Sequence, residues 1–150
     1  MKIKGFFKKT ISCVLAIFCV CGMLLATGCT AKTYKLVGLV DVENDKIVKY
    51  ADLSDEDKHI VDSFGKYTIK LGVRKDFVIQ RETYTKYGLS DVAVTLTVRG
   101  KYEIEGNVIS FTAISDDNKE TALPNQQYTN GRIIFCDYTD DGNTVYLVFE

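Results

Sequence analysis

Histidine occurs once, proline once and tryptophan not at all in this chain of 150 residues. Each scarcity removes a class of chemistry. One imidazole, His59, in the middle of a predicted helix, gives no basis for a histidine-rich zinc site or a His–Cys dyad. It reads as a surface side chain. No G-x-G-x-x-G or G-x-S-x-G run is present, so neither a dinucleotide fingerprint nor a nucleophile elbow can be argued. Basic residues are not in excess, with 19 Lys and Arg against 20 Asp and Glu. The acids that cluster do so at structural positions. Asp55-Glu56-Asp57 starts the helix and Asp116-Asp117 sits in a turn. Asp137-Tyr138-Thr139-Asp140-Asp141-Gly142 has the outline of half a calcium loop. Its third position is Thr139, and its twelfth, Val148, lacks the bidentate Glu, so it reads as a hairpin turn. No catalytic residue, metal ligand or cofactor follows, and the chain is expected not to be an enzyme.

What is present begins at the N-terminus. Lys2, Lys4, Lys8 and Lys9 precede an apolar run, Ile11 to Leu25, broken only by Ser12. Small residues follow at Ala26, Thr27 and Gly28. A basic start, a short apolar stretch and a small-residue site define a secretory signal peptide. The run is too short for a comfortable transmembrane helix, which needs about 20 apolar residues. Ala26-Thr27-Gly28-Cys29 resembles the lipobox of bacterial lipoproteins, with Ala26 where Leu is usual and Leu25 one step further out. That resemblance implies a diacylglyceryl group on Cys29, cleavage after Gly28 and a cell-membrane location on the extracytoplasmic face. The competing reading is an ordinary signal peptide followed by an incidental cysteine. Charge, length, small residues and cysteine position together favour the lipobox. Two acyl chains hold a protein on a membrane stably where one does not. The expected organisation is a signal peptide over 1–28, the lipidated cysteine with a tether over 29–33, and one domain over 34–150. At about 3.5 Å per residue the tether keeps that domain within roughly 15 Å of the bilayer.

Cleavage changes the remaining composition. Residues 1–28 carry four of the bases and none of the acids, leaving fifteen bases against twenty acids, a net −5. This charge excludes a nucleic-acid partner and a polybasic grip on anionic lipid. Cys13, Cys19 and Cys21 leave with the signal peptide. With Cys29 lipidated, Cys136 is the one thiol remaining, so no internal disulfide can form and the fold depends on its hydrophobic core. The 122 residues that remain suffice for one domain with a real core.

Period-two alternation dominates those residues. Strands are predicted over Tyr34–Val42, Ile47–Tyr50, Lys66–Val73, Phe77–Tyr84, Val92–Arg99, Lys101–Ile104, Val108–Ile114, Arg132–Tyr138 and Thr144–Phe149. Tyr67, Ile69, Leu71 and Val73 face one way. Glu105-Gly106-Asn107 and Thr139 to Asn143 supply turn residues of the kind hairpins need. Ser115 to Asn130, which contains Pro124, reads as the longest loop, with a short strand near Glu120 to Leu123. Residues 54–64 read as a helix. Ser54 is the N-cap, acids occupy the first turn and Gly65 is the C′ residue. This helix has too few apolar positions for a core of its own. Its expected place is across one end of the barrel, with Leu53, Ile60 and Phe64 inward, as a lid over a pocket or a plug in a filled interior. Cys136 shares a strand face with Ile134 and Tyr138 and is expected to be a buried, inert thiol. The nine Tyr and eight Phe are expected to serve packing and cross-strand pairing before any pocket wall.

About eight strands with hairpin connections close naturally into a barrel, which removes sheet edges. The opening Tyr34-Lys35-Leu36-Val37-Gly38, the acidic helix and the hairpin from Gly100 through Gly106-Asn107 to Thr112 resemble small lipocalin-like lipoproteins of Gram-positive bacteria. Tyr102 stands where that family commonly has Trp. The resemblance implies an all-β, antiparallel, lipocalin-like barrel with one short helix, and it carries no catalytic residue. The expected function is a non-catalytic binding module for a small apolar or amphiphilic ligand. The alternative is a protein-interaction module, an accessory subunit or inhibitor, with a filled barrel. Expected partners are the membrane, through the anchor, and either a small apolar ligand or an envelope protein. The ligand-binding residues are unknown at this stage, and the chain is expected to be a monomer.

Overall fold

A computed structural model of the chain describes residues 31–87 and 90–150. Residues 1–28, read above as a signal peptide, and Cys29 lie outside them. The elements in order are β1 (Lys32–Asp41), β2 (Lys46–Lys49), a 3-10 turn (Tyr50–Asp52), α1 (Asp55–Ser63), β3 (Lys66–Leu71), β4 (Asp76–Tyr87), β5 (Ser90–Glu105), β6 (Val108–Ile114), β7 (Glu120–Ala122), β8 (Gln126–Thr129), β9 (Arg132–Tyr138) and β10 (Thr144–Phe149).

Eight of these strands close an antiparallel barrel. The order around it is β1, β3, β4, β5, β6, β8, β9 and β10, and β10 returns to β1. Leu39 pairs with Leu147 of β10 and with Val48 of β2, so β2 and β10 take opposite edges of β1. Lys35 exchanges both backbone bonds with Glu150 and pairs with Thr68 of β3. The two short strands β2 and β3 therefore share one edge of β1, end to end. The 3-10 turn and α1 bridge between them. β1 carries a bulge between Leu36 and Gly38. The extra residue resets the alternation, so that Leu36 and Leu39, odd in spacing, both pack on the core.

The helix forms as its local chemistry dictates. Ser54 Oγ accepts the N–H of Asp57 at 3.1 Å, and three acids occupy the first turn. Phe64 ends the helix, and Gly65 follows at φ +65° with its N–H on Asp62 O at 3.0 Å. Leu53, Val61 and Phe64 are buried in the core, and Ile60 is half-buried against it.

Three strand assignments differ from the alternation pattern. β5 is one strand of 16 residues where two were predicted on either side of Gly100. Gly100 is buried between Phe77 and Ala113 on the neighbouring strands. A Cβ there would collide with the Thr112 carbonyl of β6 and lie 2.9 Å from the Phe77 ring, so the glycine marks a close approach of backbone and ring rather than a break. β3 ends at Leu71, which leaves Val73 in a turn and 54% exposed. β8 lies in the stretch read as a loop, because its sequence Gln-Gln-Tyr-Thr shows no apolar alternation. Its anchor is Gln126, which is buried. Gln126 Oε1 accepts the N–H of Cys136 at 2.7 Å, and its Nε2 donates to Pro124 O at 2.9 Å.

The interior is occupied by aromatic rings in unbroken contact. Phe77 meets Phe111 at 4.8 Å between centroids, Phe111 meets Phe135 at 6.3 Å, and Phe135 meets Phe149 at 6.3 Å. Phe149 meets Tyr67 edge-on at 5.1 Å, and Tyr67 stacks on Phe64 at 6.3 Å. These separations suit aromatic pairs that contribute beyond their area. Ile69, Ile109, Ile133 and Leu147 fill the space around them with no solvent exposure.

Candidate functional site

Tyr67 of β3 meets three of these rings, Phe64, Phe135 and Phe149. Its hydroxyl donates to Asp137 Oδ2 of β9 at 3.3 Å. Burial, with the Asp137 charge behind it, raises its pKa well above the ordinary tyrosine value. Tyr34 of β1 behaves alike. It is buried, its hydroxyl lies 3.4 Å from that of Tyr128, and burial is the larger cause of its raised pKa. Both phenols stay neutral and act as satisfied polar tips of core side chains. Neither is poised to take a proton from a substrate.

Two clefts open to solvent beside α1, each of about 400 Å³. The first lies against β1 and β2. Its floor is Leu39, Val48 and Leu53, and its rim carries Asp41, Asp52 and Asp57. The second lies against β3. Leu36, Val61 and Tyr67 form its apolar wall, with Lys35, Lys66, Tyr50 and Asp62 around them. There the Tyr50 hydroxyl donates to Asp62 Oδ1 at 3.0 Å. A third cleft, of about 320 Å³, runs over the barrel's outer surface along Val40, Ile47, Ile134 and Tyr146. The residues expected to form a lid thus sit in the core and between two open clefts.

The other residues singled out from the sequence fall as follows. His59 is exposed on α1. The Asp137 to Gly142 run is the β9–β10 hairpin turn, tied by Thr139 N to Asn143 O at 2.9 Å and Gly142 N to Thr139 O at 2.8 Å. Among the described residues no three His, Cys, Asp or Glu side chains converge to hold a metal ion. Cys136 is half-buried, not buried as expected. It lies on the barrel's outer side, opposite in phase to the core residues Ile133 and Phe135, and has no second layer over it. Acids at turns have lowered pKa values. Asp41 is held down chiefly by its bond from Asn44, and Asp117 by the short bond from Ser115 Oγ. Glu150 is held down by Lys49 first and Arg132 second.

The β4–β5 hairpin outruns its neighbours. β3 pairs with β4 only as far as Glu82, and β6 pairs with β5 only from Gly100 onward. Among the described residues, Thr83–Tyr87 therefore pair only with Ser90–Val94, and Thr95–Arg99 pair only with Val78–Glu82 of β4. β5 carries Val92 and Val94 on this two-stranded arm and Leu96 and Val98 at its base, all on the face continuous with the barrel interior, as Val98 lies opposite the core residue Ile79. Leu96 is 55% exposed and Val92 46%. Alternation located this row, but nothing local distinguishes a row that meets a core from one that projects past it.

Comparisons with protein-family models, with curated proteins and with solved structures gave no match. The fold itself, an antiparallel eight-stranded barrel with one helix, is consistent with a lipocalin-like domain.

Proposed function

We propose that this protein is a non-catalytic lipoprotein, held on the extracytoplasmic face of the cell membrane through Cys29, that works by contacting another protein. The observation that carries the reading is the chain of six rings from Phe64 to Phe77 through the barrel interior. Lipid-binding barrels hold their ligand inside, and here side chains take that space. The exposed arm supplies the alternative contact surface, since an apolar row of this kind is a feature of interaction sites. The anchor rests on the basic start, the apolar run and the Ala26 to Cys29 site.

A second reading, capture of a small amphiphile, is favoured by the cleft between α1 and β3. Its 400 Å³ lies within the range of small-molecule sites, and lysines stand beside an apolar wall. Titration with an apolar fluorophore separates the two. The protein-contact reading expects no saturable uptake. Saturable uptake at one probe per chain, lost on Val61→Asp in a chain that still folds, would replace it with the amphiphile reading.

A further inference from the structure

Part of β5 has no strand on its second edge among the described residues. Tyr102 donates its N–H to Lys75 O at 2.8 Å, on the β4 side of the strand. Register along β5 is continuous from Ser90 to Glu105. Even-numbered backbone groups therefore point to β4 and odd-numbered ones to the other edge. From Lys101 onward β6 meets the odd-numbered groups. Those of Asp91, Ala93, Thr95, Thr97 and Arg99 meet no strand among the described residues.

Native sheets blunt such edges with lysine, proline, bulges or short length. The run Ser90–Arg99, SDVAVTLTVR, has none of these. Its two charges have opposite sign, Asp91 near one end and Arg99 at the other. A strand of that pattern is complementary to itself when turned end for end.

We infer that the Asp91–Arg99 edge pairs antiparallel with the same edge of a second copy, about a two-fold axis at Thr95. In that register Thr95 faces its own copy, Ala93 faces Thr97, and Asp91 faces Arg99 at both ends. Each of these pairs exchanges both backbone hydrogen bonds, because both members aim their groups at the edge. On the opposite face Val92 meets Val98 and Val94 meets Leu96, cross-strand pairs of the kind that stabilise sheets. A shift of two residues toward the barrel would place Asp91 against Lys101, whose edge β6 already occupies. A shift the other way leaves Asp91 facing Thr97 and no opposite charge. Charge, apolar row and open groups thus select one register. The result is an isologous dimer, the commonest form of self-association, and it departs from the monomer expected from the sequence. The inference rests on the protein-contact reading and names the partner as a second copy of this chain.

Cysteine cross-linking of the full chain in its own membrane tests the register. Thr95→Cys, oxidised there, is expected to give a covalent dimer. Ala93→Cys and Thr97→Cys singly are expected to give none above the unsubstituted chain. Their like sulfurs are offset by four residues, about 14 Å along the strand, beyond disulfide reach. The double substitution at 93 and 97 is expected to restore the cross-link. Thr95→Pro removes a donor that points only outward, so it is expected to keep the far-ultraviolet spectrum and to abolish the dimer seen by light scattering in mild detergent. Equal cross-linking at 93, 95 and 97, or none at 95, overturns the pairing. An adduct of Thr95→Cys with a different protein also overturns it, while leaving the protein-contact reading in place. Saturable fluorophore uptake at the α1 cleft removes that reading and is scored separately from the cross-links.

Discussion

Replacing Phe64 by alanine tests whether α1 plugs the interior. Phe64 is 1% exposed, stacks on Tyr67 at 6.3 Å, and lies under the Arg81 guanidinium at 4.7 Å from the ring centre. Its backbone contacts survive the substitution. The N–H keeps its bond to Val61 O, and the carbonyl keeps the Arg81 Nε bond at 3.1 Å. The change therefore removes the ring alone. Burial of such a side chain contributes about 1.5–3 kcal/mol. The aromatic contact adds roughly 0.5–1.5 kcal/mol, and the guanidinium over the ring about 0.5–1 kcal/mol. Together these agree with the ~3–5 kcal/mol found for Phe→Ala in packed cores. At roughly 4 °C per kcal/mol for a unit of this size, the melting temperature should fall by about 12–20 °C. Denaturant unfolding followed by circular dichroism gives the free energy directly, and an unchanged slope shows that the unfolded reference is the same. A loss below about 1 kcal/mol, with new uptake of an apolar fluorophore, would refute the plug and make Phe64 a lid over space.

Other expectations follow from single contacts. Gly100→Ala drives a methyl group into the Thr112 carbonyl of β6 and against Phe77 and should cost about 1–3 kcal/mol by denaturant unfolding; wild-type stability would mean that neither approaches β5 so closely there. Cys29→Ser should abolish lipidation, leaving the chain uncleaved at Gly28 or released from the membrane fraction; maturation at the same site with membrane retention would end the lipobox reading. In an alkaline absorbance titration, Tyr67 and Tyr34 should stay neutral well above the ordinary tyrosine range. Because the folded values are raised, the stability these phenols contribute is present below the unfolded value of 10.0 and lost as pH climbs beyond it. Tyr67→Phe should weaken that alkaline loss, and an unchanged profile would contradict the assignment. Glu150 has the opposite sign. Its lowered folded value means that its ion pairs with Lys49 and Arg132 contribute above the unfolded 4.5 and fade as pH falls below it, so Glu150→Gln should flatten the acid limb of the melting profile.

Much of the barrel was legible because its signals are local. Ser54 and Gly65 fixed α1 within a residue at each end, and Gly106-Asn107 and the Asp140 to Asn143 turn fixed two hairpins. What stayed hidden depends on long-range partners. Gly100 reads as a break until Phe77 and the Thr112 carbonyl are known to approach it. β8 exists because the Gln126 amide bonds to Cys136 ten residues later, and no propensity records that. The bulge in β1 cannot be seen in a run where Leu36, Val37, Leu39 and Val40 are all apolar. Cys136 reads as buried because a free thiol packs like a small hydrophobe, whereas its face of the barrel is only half covered and the core takes the Ile133 and Phe135 side. The candidate surface was half legible. Alternation gave the row from Val92 to Val98, while its projection beyond the barrel follows from where β3 and β6 stop.

Side chains, not a ligand, fill this barrel. Native mass spectrometry of the full chain, produced in its own host and purified in mild detergent, measures this directly. The filled interior predicts masses that the covalent chain accounts for, with any acyl groups on the proposed Cys29 anchor included, as monomer or dimer, with nothing further retained. A stoichiometric apolar adduct that survives extraction and is lost only on unfolding would contradict it.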